Sequence, residues 1–151
     1  MNKFAFFLVL FLLACSEETT FTVSKLKNET NKQVNIIFYQ NNNIASEYNV
    51  GPNDEIIVSD VNNRGKGVGL TFPNLELSNF DSAIITFDYI KKSIHFSQLH
   101  RFDSIRVLYF ENNRNIFNEA NYTRVVTSQT RHRINNEYTY IFSEQDYLNA
   151  K

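Results

Sequence analysis

Apolar and polar residues alternate along most of this chain in short runs, broken by Asn- and Gly-bearing clusters. A period of two with such punctuation predicts an antiparallel all-β domain. Phe21 and Val23 alternate with Thr22 and Ser24, and residues 28–32 turn the chain. Val34, Ile36 and Phe38 then share one strand face, with Asn35, Ile37 and Tyr39 on the other. Asn41-Asn42-Asn43 reads as a turn, because Asn tolerates left-handed backbone and bonds its own main chain. Ile44, Ser46, Tyr48 and Val50 form the return strand, and Gly51-Pro52-Asn53-Asp54 ends it. Residues 55–61 are the next strand.

The second half repeats this grammar. Residues 83–89 and 93–96 flank Ile90-Lys91-Lys92 as a hairpin, with Ile85, Phe87 and Tyr89 expected on one face. Residues 104–110 are strand-like, and 112–120 are polar, a loop or one helical turn. Residues 122–130 and 137–142 make a final hairpin around Asn135-Asn136, with Tyr138, Tyr140 and Phe142 aligned on one face. Ser143 followed by Asp146 forms a capping box, so 143–150 is a short terminal helix. About seven or eight such strands in one domain predict a two-sheet antiparallel β-sandwich, with a β-barrel as the alternative.

The first residues break the pattern. Met1-Asn2-Lys3 leads into an unbroken apolar run over 4–14 that stops at Cys15, the single cysteine. The run is far shorter than the roughly 20 residues that span a bilayer, so it reads as a secretory signal. Leu12-Leu13-Ala14-Cys15 resembles the lipobox of bacterial lipoproteins, in which a small residue precedes a cysteine that is lipidated before the signal is removed. The resemblance implies that Cys15 is acylated, palmitate being one such chain, and becomes the first residue of the mature protein. Two or more acyl chains, at about 0.8 kcal/mol per buried methylene, give an effectively permanent membrane anchor. Ser16-Glu17-Glu18 resembles the acidic export signal beside the cysteine in lipoproteins of the Bacteroidota, which implies the outer membrane and its cell-surface side, the periplasmic face being the alternative. The expected organisation is a signal peptide over 1–14, a lipidated cysteine and linker over 15–20, and one β-sandwich domain over 21–151.

Without residues 1–14 the formal charge moves from −1 to −2, because Lys3 is lost. Both signs are interspersed, which argues against a nucleic-acid partner, and Arg131-His132-Arg133 is read as a solvated turn. The length that remains is enough to bury a real core.

Chemical motifs weaken under their geometry. Gly65, Lys66, Gly67 and Gly69 concentrate most of the glycine of the chain, but the Ser or Thr and the helix of a phosphate-binding loop do not follow. These four residues are kept as a candidate ligand-contact loop. His95 and His100 are five apart, so on a continuous strand they face opposite sides, and His132 lies in the arginine-flanked turn; no metal or cofactor is expected. No Gly-x-Ser-x-Gly nucleophile pattern occurs. Asp81, Asp88, Asp103 and Glu111 sit where turn or solvent-face acids belong. Asp81-Ser82-Ala83 and Asp103-Ser104-Ile105 resemble the sequence at which Bacteroidota attach O-glycans, which makes Ser82 and Ser104 candidate acceptors.

Taken whole, the chain is similar to small flavobacterial lipoproteins with an Asn-rich stretch like residues 115–122 and a Tyr-x-Tyr-x-Phe strand, a group with no activity to carry over. The expectation is a membrane-anchored binding module for an envelope protein, peptide or glycan, not an enzyme. Eight tyrosines favour recognition, while the lack of Trp favours a protein partner over a glycan. A structural accessory subunit of an outer-membrane complex is the second reading, and an extracytoplasmic hydrolase the third.

Overall fold

The computed structural model describes residues 19–64, 80–98, 107–109 and 112–151. Among them are nine strands, β1 (Thr19–Asn28), β2 (Val34–Gln40), β3 (Asn43–Val50), β4 (Glu55–Arg64), β5 (Ser82–Phe87), β6 (Lys91–Phe96), β7 (Val107–Leu108), β8 (Thr123–Gln129) and β9 (Arg133–Phe142), and one helix, α1 (Glu144–Asn149). A single 3-10 turn, Glu119–Asn121, precedes β8.

The strands form two sheets rather than a closed barrel, ordered β4-β1-β9-β8 and β3-β2-β5-β6-β7. This is the expected all-β sandwich, with more strands than the seven or eight counted from sequence. It is also not purely antiparallel. β1 runs parallel to β9 from Thr19↔Arg133 to Asn28↔Phe142, and β6 runs parallel to β7. Alternation along one strand reveals its faces but carries no information on the direction of its neighbour, which is why the parallel pairs are invisible in the sequence.

The core lies where the sequence places it. Val34, Ile36 and Phe38 from β2, Ile85 and Phe87 from β5, and Tyr138, Tyr140 and Phe142 from β9 are buried. Phe87 meets Phe142 across the sheets edge to face at 6.4 Å. Phe38 stacks on Phe80 at 4.9 Å and abuts Phe117 and Tyr48 edge to face. Each such side chain contributes about 1.5–3 kcal/mol on burial.

Turn chemistry explains the connections. Asn41 and Asn42 have φ of 51° and 64°, the left-handed pair of a tight β2–β3 hairpin. Asn53 adopts φ 55° in the turn before β4. Asp88 and Tyr89 are also left-handed, at 51° and 57°, so the β5–β6 turn falls earlier than Ile90-Lys91-Lys92. Tyr89 is consequently 71% exposed at a hairpin tip and does not share the buried face of Ile85 and Phe87. The last hairpin also turns earlier than expected. Thr130 N–H bonds the Arg133 carbonyl at 2.7 Å, and Asn135 and Asn136 lie inside β9. Asn136 tolerates its 5% exposure because the Arg124 guanidinium donates to its Oδ1 at 2.8 and 3.1 Å.

One face is inverted relative to hydropathy. In β1 it is Thr22, Ser24, Leu26 and Asn28 that are buried, while Phe21 and Val23 are only half-buried on the outer face. Arg133 covers Phe21 there, its guanidinium 4.1 Å from the ring centroid. Lys25 on the same outer face bridges Glu55 at 2.9 Å and Glu137 at 3.0 Å, which ties β4, β1 and β9 together.

Candidate functional site

The most elaborate polar arrangement among the described residues lies between β6, the loop over 112–118 and α1. β6 points Ser93 and His95 to the inside, where both are buried. The loop is pinned over them by Asn115. Its Nδ2 donates to the carbonyls of Phe96 at 3.0 Å and Leu108 at 2.7 Å, and its Oδ1 accepts from Phe117 N–H at 2.7 Å. This fully buried amide replaces a missing stretch of sheet, and it brings Ile116 N–H to His95 Nδ1 at 3.0 Å.

That contact fixes the imidazole. A backbone N–H can only donate, so Nδ1 is the acceptor and the ring proton sits on Nε2. Nε2–H then donates to Ser93 Oγ at 3.1 Å. Burial lowers the His95 pKa to about 3, the nearby Arg114 charge adds to the effect, and Asp146 opposes it. The ring is neutral at physiological pH.

Arg114 closes the arrangement from the loop side. Its Nε donates to Asp146 Oδ1 at 2.8 Å, its Nη2 bonds the Ile141 carbonyl at 2.7 Å and pairs with Asp146 Oδ2, and the guanidinium lies 5.3 Å over the Tyr140 ring. Burial is the largest single influence and works against this charge, but the hydrogen bond to Asp146, the Tyr140 hydroxyl and the Asp146 charge together outweigh it and raise the Arg114 pKa above the ordinary arginine value. Tyr140 hydroxyl returns to the Arg114 carbonyl at 2.7 Å. Asp146 serves twice: its Oδ2 also accepts from the Ser143 N–H at 2.7 Å and hydroxyl at 2.8 Å, the cap predicted for α1. Burial raises the pKa of Tyr122, whose hydroxyl donates to Ile116 O at 2.8 Å beneath the loop.

Above this network opens a cleft of about 250 Å³ lined by Ser93, Leu108, Asn112, Arg114, Asp146 and Asn149, with Asn113 at its rim. Ser93 and His95 superficially resemble a nucleophile and its base. The tautomer is wrong for that role, because a general base must present its lone pair to the hydroxyl, and here Nε2 presents its proton. The ion pair is spent on Ile141 and the α1 cap. No cluster of three metal-ligating side chains exists among the described residues. The cleft is therefore built to offer hydrogen bonds around a fixed charge pair.

Of the residues singled out from sequence, Ser82 opens β5, half-buried between Tyr39 and Phe96 in neighbouring strands. Asp88 accepts from Gln33 N–H at 2.9 Å and pairs with Lys32 at 3.4 Å, and the Asp81 carboxylate accepts from Asn41 N–H, both turn roles. Cys15, Ser104, Gly65, Lys66, Gly67 and Gly69 lie outside the described residues, as do His100, Asp103 and Glu111. Ser93, Arg114 and Asn115 carried no signal in the sequence, since a buried asparagine in an Asn-rich loop looks like any other. Asp146 was visible, but only as a cap. No protein-family model matches the chain, and no significant match to it occurs among curated proteins or solved structures.

Proposed function

We propose that the chain is an outer-membrane lipoprotein, anchored through acylated Cys15, whose sandwich recognises an envelope protein or peptide and has no catalytic activity of its own. The observation that carries this reading is the polarity of β1. It begins at Thr19, four residues after Cys15, and runs ten residues, roughly 30 Å, to Asn28 at the far end of the sheet. Asn28 N–H bonds Asp54 O and Glu29 N–H bonds Phe142 O, so the turn before β4 and the start of α1 gather at that far end. A lipid at Cys15 would leave α1 and its cleft facing away from the membrane. The fixed His95 tautomer and the committed Arg114–Asp146 pair favour recognition over hydrolysis.

The test has two arms. Radiolabelled palmitate should be incorporated by the wild-type protein and not by Cys15→Ala; label in both would remove the anchor. Protease shaving of intact cells should then degrade the protein while a periplasmic marker survives. Protection equal to that marker's would overturn surface display.

A further inference from the structure

We infer that β8 is an open sheet edge that takes up an extended acidic segment of the partner, adding it as a fifth strand; this deepens the recognition reading and rests on it. Among the described residues β8 ends its sheet and pairs only with β9. All seven of its residues are exposed, with Val125 at 50% and Val126 at 44%. A row of free backbone donors and acceptors at strand spacing is complemented by another extended backbone.

The β4 and β3 edges are defended: β4 carries exposed Glu55 and Asp60, and β3 carries exposed Glu47. β8 has no acid, no lysine and no proline. Its one irregularity is the register shift between Val126 and Ser128, which leaves 123–126 as the continuous pairing run. Its one charge, Arg124, is held against the neutral Asn136 amide.

Charge chooses the occupant. The described ion pairs engage Lys25, Lys27, Lys32 and Arg114, and none engages Arg124, Arg131 or Arg133. Arg133 turns away to the Phe21 ring on β1, which leaves Arg124 on β8 and the exposed Arg131 at the hairpin turn as the cations nearest this edge. A strand bearing carboxylates would neutralise these two, whereas a second copy of this chain would bring the same cations to the same edge.

The probe is a synthetic seven-residue peptide alternating glutamate with valine and threonine, titrated by fluorescence anisotropy against the full lipidated protein in detergent micelles. A control peptide carries lysine in place of glutamate. Expected is saturable binding of the acidic peptide, at least about tenfold tighter than the lysine form and weakened by salt. Val126→Pro should abolish it. Arg131→Glu, which lies in the turn and leaves the strand backbone intact, should weaken it about tenfold while circular dichroism stays unchanged. Equal affinity for both peptides, binding indifferent to these substitutions, or a dimer that Val126→Pro dissolves would each overturn the proposal. Loss of palmitate labelling or of surface exposure with peptide binding intact would strike the lipoprotein reading alone.

Discussion

Replacing Asn28 by alanine removes one side chain that joins two turns at the far end of the sandwich. Asn28 is fully buried, and its Nδ2 donates to the carbonyls of Lys32 at 2.7 Å, Val50 at 3.2 Å and Gly51 at 2.9 Å. Its Oδ1 accepts from the Thr30 N–H at 2.9 Å and hydroxyl at 2.7 Å. Alanine leaves three carbonyls and the Thr30 N–H without that partner. The Gly51 carbonyl keeps the Asp54 N–H at 3.2 Å and the Lys32 carbonyl keeps the Thr30 hydroxyl at 3.4 Å, so at about 1 kcal/mol for each group orphaned or weakened the loss is about 3 kcal/mol. That is a large share of the roughly 5–15 kcal/mol that holds a domain together. Urea unfolding followed by tyrosine fluorescence should show the midpoint falling with an unchanged slope, and the melting temperature dropping by roughly 10 °C or more. Asn28→Asp should be at least as damaging at neutral pH, because a carboxylate would face three carbonyls with no N–H to offer. A loss below about 1 kcal/mol for Asn28→Ala would refute the claim that this amide is the joint between the turns.

Acidification should destabilise the protein through His95. Its folded pKa of about 3 lies below the ordinary value of 6.5, so below pH 6.5 the unfolded chain takes up a proton that the fold refuses. Stability from this group is complete above pH 6.5 and declines toward pH 3 by up to about 1.4 kcal/mol per unit, and His95→Gln should flatten that limb in denaturant titrations. Ser24→Ala should raise stability by about 1 kcal/mol, since the Ser24 hydroxyl is buried with no hydrogen-bond partner among the described residues. A fall of similar size in calorimetry would show that the hydroxyl is satisfied after all. Phe38→Ala should cost about 3–5 kcal/mol by chemical denaturation, because it empties the space among Tyr48, Phe80 and Phe117; a cost under 1 would mean that these rings collapse into the gap.

What could be read from sequence follows from the range of each interaction. Val34, Ile36 and Phe38 announce their face because period two is local, and Asn41-Asn42 announces its turn because left-handed backbone selects for Asn. The Ser143–Asp146 box is equally local. Hidden features depend on partners distant in sequence. Thr22 and Ser24 face inward although Phe21 and Val23 flank them, and on the outer face the Phe21 ring gains a cover from Arg133. Asn135-Asn136 looked like a turn, yet Arg124 makes Asn136 acceptable inside a strand. The candidate cleft was illegible for the same reason: Ser93, Asn115 and Arg114 acquire their roles only when β6, the loop and α1 meet.

The parallel pairing of β1 with β9 bears on how the protein is made. β1 is central in its sheet, flanked by β4 and by a strand that begins at Arg133, more than a hundred residues later. β1 cannot complete its pairing until β9 has been made. Contacts of such long sequence separation slow folding, because loop closure must be achieved before they contribute. Synthesis and closure are therefore separate events for this chain. The sheet that holds β1 closes only once β9 lies beside it, whereas the pairing of β2, β3, β5 and β6 has no such wait.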